Sequence, residues 1–135
     1  MERDQAERMI LDVYHSRKSG DAAAMTTNFH ENGTYRLNAG PPESSAAFMG
    51  GNNKQAIIGT FAALMKEYIF EDDWKVDRFV HDDETSVLIW RSTVTSGATK
   101  KSHVFEVCTV VTFKDGKILS ATEHTDTAAI VALNA

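Results

Sequence analysis

The long helical stripes of this chain all fall in its first half, and from Trp74 onward the pattern is β. Ala6, Met9, Ile10, Val13, Tyr14 and Arg17 recur at helical spacing and define one side of a first helix. Ser19-Gly20 ends it, and Asp21 is placed to cap a short second helix through Ala22–Met25. Asn53 can cap a third, from about Lys54 to Tyr68, whose stripe is Ile57, Ile58, Phe61, Ala62, Leu64, Met65 and Tyr68. Thr34–Asn38 is a short strand after an Asn32-Gly33 turn, and both prolines sit in an irregular loop, Gly40–Ser45. Trp74–Val80, Ser86–Thr95, Ser102–Phe113 and Lys117–Thr125 then alternate as strands, the last two joined by Asp115-Gly116, the strongest hairpin signal present. Thr127–Leu133 reads as a tail with at most a turn of helix. Helices followed by a meander imply a single α+β domain over residues 1–135, with helices segregated to one side of an antiparallel sheet. Strands this long, covered by one helix layer, should curl around helices one and three and enclose a cavity. The outer sheet face then needs cover, expected from a second copy as a homodimer.

Composition removes several function classes. Net charge is −5, and the only basic doublets are Arg17-Lys18 and Lys100-Lys101, so neither nucleic acid nor an anionic membrane is expected as a partner. The N-terminal residues are charged and run straight into a helical pattern, which gives a cytoplasmic expectation. A single cysteine, Cys108, excludes an internal disulfide and reads as a core thiol. Glycine-rich nucleotide loops, a nucleophile elbow and zinc-ligand spacing among the five histidines are all missing, so neither metal nor other cofactor is expected.

One residue breaks the apolar pattern. In the last strand Leu119, Ala121, Glu123 and Thr125 share a face, because alternate strand residues point to opposite sides. If that face lines the interior, a carboxylate stands in an apolar concavity, which is costly unless it is paired, neutralised or used. The other readings are a solvated rim carboxylate or an internal salt bridge. On Ser102–Phe113 the more apolar face is His103, Phe105, Val107, Thr109, Val111 and Phe113, which should line the core. On Ser86–Thr95, Val87, Ile89, Arg91 and Thr93 share one face, and Leu88, Trp90, Ser92 and Val94 the other. With Ile89 turned inward, Arg91 would meet Glu123, and Trp90 and His124 would face outward toward a subunit contact. His81 is expected to be solvated in an acidic turn.

A helix ending in Ser19-Gly20-Asp21, then Asn28-Phe29-His30-Glu31-Asn32-Gly33-Thr34-Tyr35, a Pro-bearing loop and an amphipathic helix together resemble the NTF2-like superfamily. Phe113-Lys114-Asp115-Gly116-Lys117-Ile118 followed by Glu123-His124-Thr125-Asp126 resembles its SnoaL-like and ketosteroid-isomerase-like branch. The resemblance spans nearly the whole chain. It implies a cone-shaped, strongly curved antiparallel sheet wrapped around three N-terminal helices, a homodimer and a deep apolar pocket. The family's chemistries are diverse, so fold does not settle function. The steroid isomerases' oxyanion-holding tyrosine and acid and their proton-moving aspartate fall on Val13, Thr109 and Leu37, none of them suitable. Tyr14 lies one residue away and would reach the pocket only through a register slip. Against the limonene-epoxide-hydrolase pattern, Arg91 falls on the arginine, Glu123 on an acid and Tyr35 on the water-holding tyrosine. Thr93 and Leu37 replace that pattern's aspartate and asparagine, which puts epoxide hydrolysis in doubt.

These readings nominate Glu123, Arg91 and Tyr35 as catalytic candidates. Tyr14, Leu37, Phe61, Ile89, Thr93, His103, Phe105 and Thr109 are nominated as substrate-binding residues. Three roles stay open: a cofactor-independent isomerase, cyclase or lyase using Glu123 as acid/base on a small apolar carbonyl compound; a non-catalytic carrier of an apolar small molecule; or a structural dimer with its pocket plugged by Phe48, Phe61 and Phe105.

Overall fold

A computed structural model describes residues 1–37 and 49–135. The Pro41-Pro42 loop, its candidate role as a lid, and Phe48 lie outside the described residues. The order is α1 (Arg3–Ser16), a single 3-10 turn (Arg17–Ser19), α2 (Ala22–Met25), β1 (Phe29–Leu37), β2 (Met49–Gly51) and α3 (Lys54–Glu67). It continues with β3 (Tyr68–Phe70), β4 (Lys75–Asp82), β5 (Thr85–Ser96), β6 (Ser102–Lys114), β7 (Lys117–His124) and α4 (Thr127–Asn134).

Local chemistry sets most of these boundaries. Asp21 accepts a hydrogen bond from the Ala24 amide at 3.2 Å, and Asn53 accepts one from the Ala56 amide at 2.8 Å. Each satisfies a backbone donor that the first helical turn leaves free. Gly20 ends the first helical segment with φ 71°. Asp115 and Gly116 both adopt positive φ, the geometry that joins strands of native twist. The C-terminal segment exceeds expectation: Asp126 caps a full helix, accepting from the Ala129 amide at 3.1 Å, and Leu133 anchors it in the core.

The described strands form one sheet in the order β2-β1-β7-β6-β5-β3, with β4 also pairing with β5. All pairings are antiparallel except β1 with β7, which run parallel. The curled sheet closes on α1 and α3 around a core that includes Ile10, Phe29, Ile57, Leu88, Val111 and Ile118. Among the described residues, no helix is long and apolar enough to cross a membrane.

Two expectations fail here. Asn32-Gly33 is not a turn. It lies inside β1, which begins at Phe29, at a register shift against β7. A bulge and a turn share the same residue chemistry. The face of β5 is also reversed: Ser86, Leu88, Trp90, Ser92 and Val94 are buried, while Ile89, Arg91 and Thr93 point outward. The β5–β6 register requires this. Trp90 stands opposite Val107 and Leu88 opposite Thr109, and directly paired residues share a face. Because β5 is apolar on both sides, alternation alone does not choose between them. Cys108, opposite Ile89, likewise lies on the outer face, half-buried.

Gly51 lets α3 close onto the strand beside Tyr35, its pairing partner. A Cβ there would lie 2.7 Å from the Ile57 nitrogen and 2.8 Å from the Ala56 carbonyl carbon, both backbone. At Gly59, inside α3, a Cβ would meet nothing within 4 Å. Gly51→Ala is therefore expected to destabilise by about 1–3 kcal/mol through overpacking. Gly59→Ala should stabilise by about 0.5–1 kcal/mol through helix propensity. Urea unfolding of both variants checks this, and the same sign for the two would contradict the packing described.

Candidate functional site

Glu123 is brought inward by β7, between two strands that share its face. Thr109 of β6 pairs with it on one side and Leu37 of β1 on the other. Only 9% of the residue remains exposed, in a cavity of about 310 Å³ between the concave sheet, α1, α3 and α4. The size and mostly apolar walls are those of a small-molecule site. Phe61 and Phe105 stand in the walls and leave this volume open.

The carboxylate is held by hydroxyl groups. Tyr35 donates to Oε1 at 2.5 Å, and Tyr14 donates to Oε2 at 2.5 Å. Thr109 Oγ1 lies 3.5 Å from Oε2 and 3.0 Å from the Tyr14 hydroxyl. Trp90 Nε1 donates to Thr109 Oγ1 at 2.9 Å. An indole N–H can only donate, which fixes the sense of the chain. Trp90 gives to Thr109, both tyrosines give to Glu123, and the Thr109 hydroxyl gives to the Tyr14 oxygen at 3.0 Å or to Glu123 Oε2 at 3.5 Å. Every proton then has an acceptor if Glu123 is ionised. Oε1 carries one hydrogen bond and keeps acceptor capacity.

Each donor is positioned by packing. Tyr35 meets the Phe61 ring edge-on at 4.9 Å, and Phe61 meets Phe29 in the same way at 6.1 Å. Tyr14 stacks on Trp74 at 5.0 Å and leans on Trp90 at 4.9 Å. Burial pushes both tyrosine hydroxyls well above the usual phenol range, and the negative charge of Glu123 and its hydrogen bonds push further.

Arg17, in the turn after α1, is the arginine that lines this cavity. Its guanidinium lies 4.1 Å above the Phe70 ring, 5.6 Å from the Tyr14 ring and 5.7 Å from the Trp90 ring. Burial lowers its pKa from the ordinary arginine value, partly offset by Tyr14 and Glu123. Among the described residues, no group of His, Cys, Asp and Glu stands together in a way that could hold a metal ion.

The nominated residues divide clearly. Glu123, Tyr35, Tyr14, Leu37, Phe61, Phe105 and Thr109 all border the cavity. Arg91 does not: it pairs with Asp77 on the outer face, Nε to Oδ2 at 2.8 Å and a terminal nitrogen to Oδ1 at 3.1 Å. Thr93 binds Asp73 on that face, and Ile89 shares it. His103 is exposed, its ring against Phe105 at 4.7 Å. The β5 reversal explains the first three misplacements, and the position of His103 at the open end of β6 explains the fourth. Tyr14 reaches the cavity without a register slip, because Val13 and Tyr14 both lie on the broad α1 stripe. His81 is not solvated: Nδ1 contacts Ser86 Oγ and Nε2 the Met1 carbonyl oxygen, each at 2.7 Å. Arg17 and Trp90 were passed over. Arg17 carried a signal, a cation ending an otherwise mostly apolar stripe, and Trp90 was legible only through strand register.

Raised tyrosine pKa values predict a loss of stability in alkali. Below the ordinary tyrosine pKa of about 10 the folded and unfolded states both keep the phenol protons, and the contribution is full. Above it the unfolded chain releases protons that the folded chain retains, so stability falls as pH climbs toward the folded values. Urea unfolding between neutral pH and strong alkali should show this fall, with a shallower slope in Tyr14→Phe and in Tyr35→Phe. Equal slopes in all three proteins would contradict the network.

The family model described as SnoaL-like domain matches residues 10–121. An NTF2-like protein from Burkholderia xenovorans LB400 superposes with a TM-score of 0.82 at 14% identity, covering 100% of this chain and 99% of that one. One from Burkholderia thailandensis E264 gives 0.77 at 22% identity, over 100% and 99% of the two chains. An LEH-like epoxide hydrolase of M. tuberculosis gives 0.75 at 15% identity, over 98% and 90%. At these identities the structures share the fold alone. No curated protein sequence matches the chain.

Proposed function

The chain belongs to the SnoaL-like domain family, and on that footing we propose that its cavity is the active site of a cofactor-independent isomerase, cyclase or lyase. The substrate is a small, mainly apolar carbonyl compound. Glu123 moves the proton. The observation that carries the reading is a buried carboxylate whose two partners are tyrosine hydroxyls at 2.5 Å, not a cation. A carboxylate neutralised by a structural ion pair would have its basicity spent on that pair. Here the donors are neutral and can reorient.

The chemistry follows from the donor count. Oε1 takes a proton from the carbon next to the carbonyl, and the C–H electron pair passes into an enolate. Neutral Glu123 no longer needs both hydroxyl donors, so Tyr14 or Tyr35 turns its O–H toward the enolate oxygen. Return of the proton to a different atom completes an isomerisation. Attack of the enolate on a second carbonyl, or expulsion of a leaving group, gives a cyclase or a lyase. Arg91, previously the partner assigned to Glu123, has no part in this scheme. Leu37 and Thr93 supply no second acid, which argues against hydrolysis.

A second reading is a carrier that binds an apolar molecule without chemistry. It is favoured by the same network, since a fully satisfied carboxylate also makes a stable polar wall. Incubating the protein with a panel of apolar ketones in heavy water separates the two. Deuterium should enter next to the carbonyl, and Glu123→Gln should slow this by about a hundredfold or more while leaving ligand binding largely intact. Binding without exchange would favour the carrier, and unchanged exchange in the variant would remove Glu123 from the mechanism.

The outward face of β5 and β6 presents Val87, Ile89, Val104 and Val110, with Val104 61% exposed. A second copy of the chain covering this face is part of the proposed state, and sedimentation of a monomer at micromolar concentration would argue against it.

A further inference from the structure

Arg17 is a half-buried cation that feels the charge of Glu123 only from a distance. Among the described residues it forms no ion pair and no hydrogen bond, only contacts with the faces of Tyr14, Phe70 and Trp90. Its neighbours at the adjoining smaller cleft are otherwise engaged. Lys18 pairs with Asp72 at 2.5 Å, and Glu71 accepts from Thr95 Oγ1 at 3.3 Å. That cleft shares Arg17 and Tyr14 with the main cavity, so Arg17 stands where the two meet. Trp74, also at the cleft, has a buried indole N–H that finds no acceptor among the described residues. Two unsatisfied donors thus flank the Tyr14 ring, one of them charged.

Burying a guanidinium without a counter-charge is unfavourable, and a planar anion with two oxygens matches its five-donor fork. Glu123 does not play that part. Among the described residues the two form no ion pair, and the Glu123 oxygens already accept from Tyr14 and Tyr35. The Tyr14 side chain intervenes, its ring against Arg17 and its hydroxyl on Glu123. The two opposite charges of the site therefore mark two separate stations along one cavity.

We propose that Arg17 anchors a carboxylate on the ligand, so that the ligand class is an apolar acid whose body extends from the junction of cavity and cleft toward Glu123. This deepens the reading of the cavity as a ligand site, and it makes Arg17 a specificity-determining residue. In the enzyme reading the substrate becomes an apolar oxo acid, with its carboxylate at Arg17 and the reacting carbon at Glu123.

The test is a binding comparison on the intact chain. Hydrocinnamate, octanoate and cyclohexanecarboxylate are each titrated against the corresponding primary amide and amine, by calorimetry and by tryptophan fluorescence. The chain's two tryptophans, Trp74 and Trp90, both border this region, so the fluorescence reports locally. At least one acid should bind about tenfold or more tightly than its amide, the discrimination expected of a charge-assisted pair. Arg17→Met should bring the acid down to the amide's level, and Arg17→Lys should keep part of the preference. Amides or amines binding as well as the acids, a preference retained in Arg17→Met, or no saturable acid binding at millimolar concentration would each overturn the proposal. If Arg17→Met fails to fold, the wild-type acid-to-amide ratio and Arg17→Lys still decide. Acid preference without deuterium exchange in any ketone or oxo acid would keep the anchor and remove the acid/base reading. Exchange in neutral ketones without acid preference would do the reverse.

Discussion

Two tyrosine hydroxyls holding one buried carboxylate is the contact on which the site depends. The carboxylate needs them because no described residue forms an ion pair with it, and desolvation of a bare charge there would be prohibitive. The hydroxyls in turn are fixed by what surrounds them: the Phe61 edge for Tyr35, the Trp74 face and Trp90 for Tyr14. Trp90 also enters the hydrogen-bond chain through Thr109. Aromatic packing and polar satisfaction are thus one arrangement, and a change in either is felt in the other.

Much of this was legible in the residues. The order of the first three helices and the five longer strands, three side-chain caps of which two were read in advance, the Asp115-Gly116 hairpin and the inward face of β6 all rest on local chemistry that needs no partner to interpret, whereas the three-residue strands β2 and β3 and the helix α4 were not read. Glu123 stood out because it interrupts a face read as Leu119, Ala121 and Thr125, although a bulge at Leu119 puts Ile118 on the cavity wall in its place. What was not legible depended on pairing. β5 carries Val87 and Ile89 on one face and Leu88, Trp90 and Val94 on the other, so its hydrophobic pattern is satisfied either way up. Only the register against β6 decides, and it sends Trp90 inward and Arg91 out to Asp77. A one-residue difference in that reading exchanged every site residue on the strand. The bulge at Asn32-Gly33 was misread for a related reason: the residues that permit a turn also permit an irregular strand paired to β7, near the other end of the chain.

Arg17 illustrates a different limit. Its place on the α1 stripe was visible, but a cation at the end of a stripe is ordinarily a solvated flank. Three aromatic rings from α1, β3 and β5 turn it into a half-buried group, and those contacts join segments that no local pattern relates. Its lowered pKa has the same origin, burial among rings, and Glu123 works against it from across Tyr14.

The parallel pairing of β1 with β7 has a consequence for how the molecule comes together. β7 is the strand between β1 and β6, so the carboxylate rides on the piece that joins the early part of the chain to the late hairpin. Tyr14 and Glu123 are 109 positions apart, and Tyr35 and Glu123 are 88 apart. Closing loops of that length is entropically expensive and belongs to the non-local stage of assembly. The reactive centre is therefore also the seam of the fold: it exists only once the two ends of the chain have met, and nothing short of the nearly complete molecule contains it.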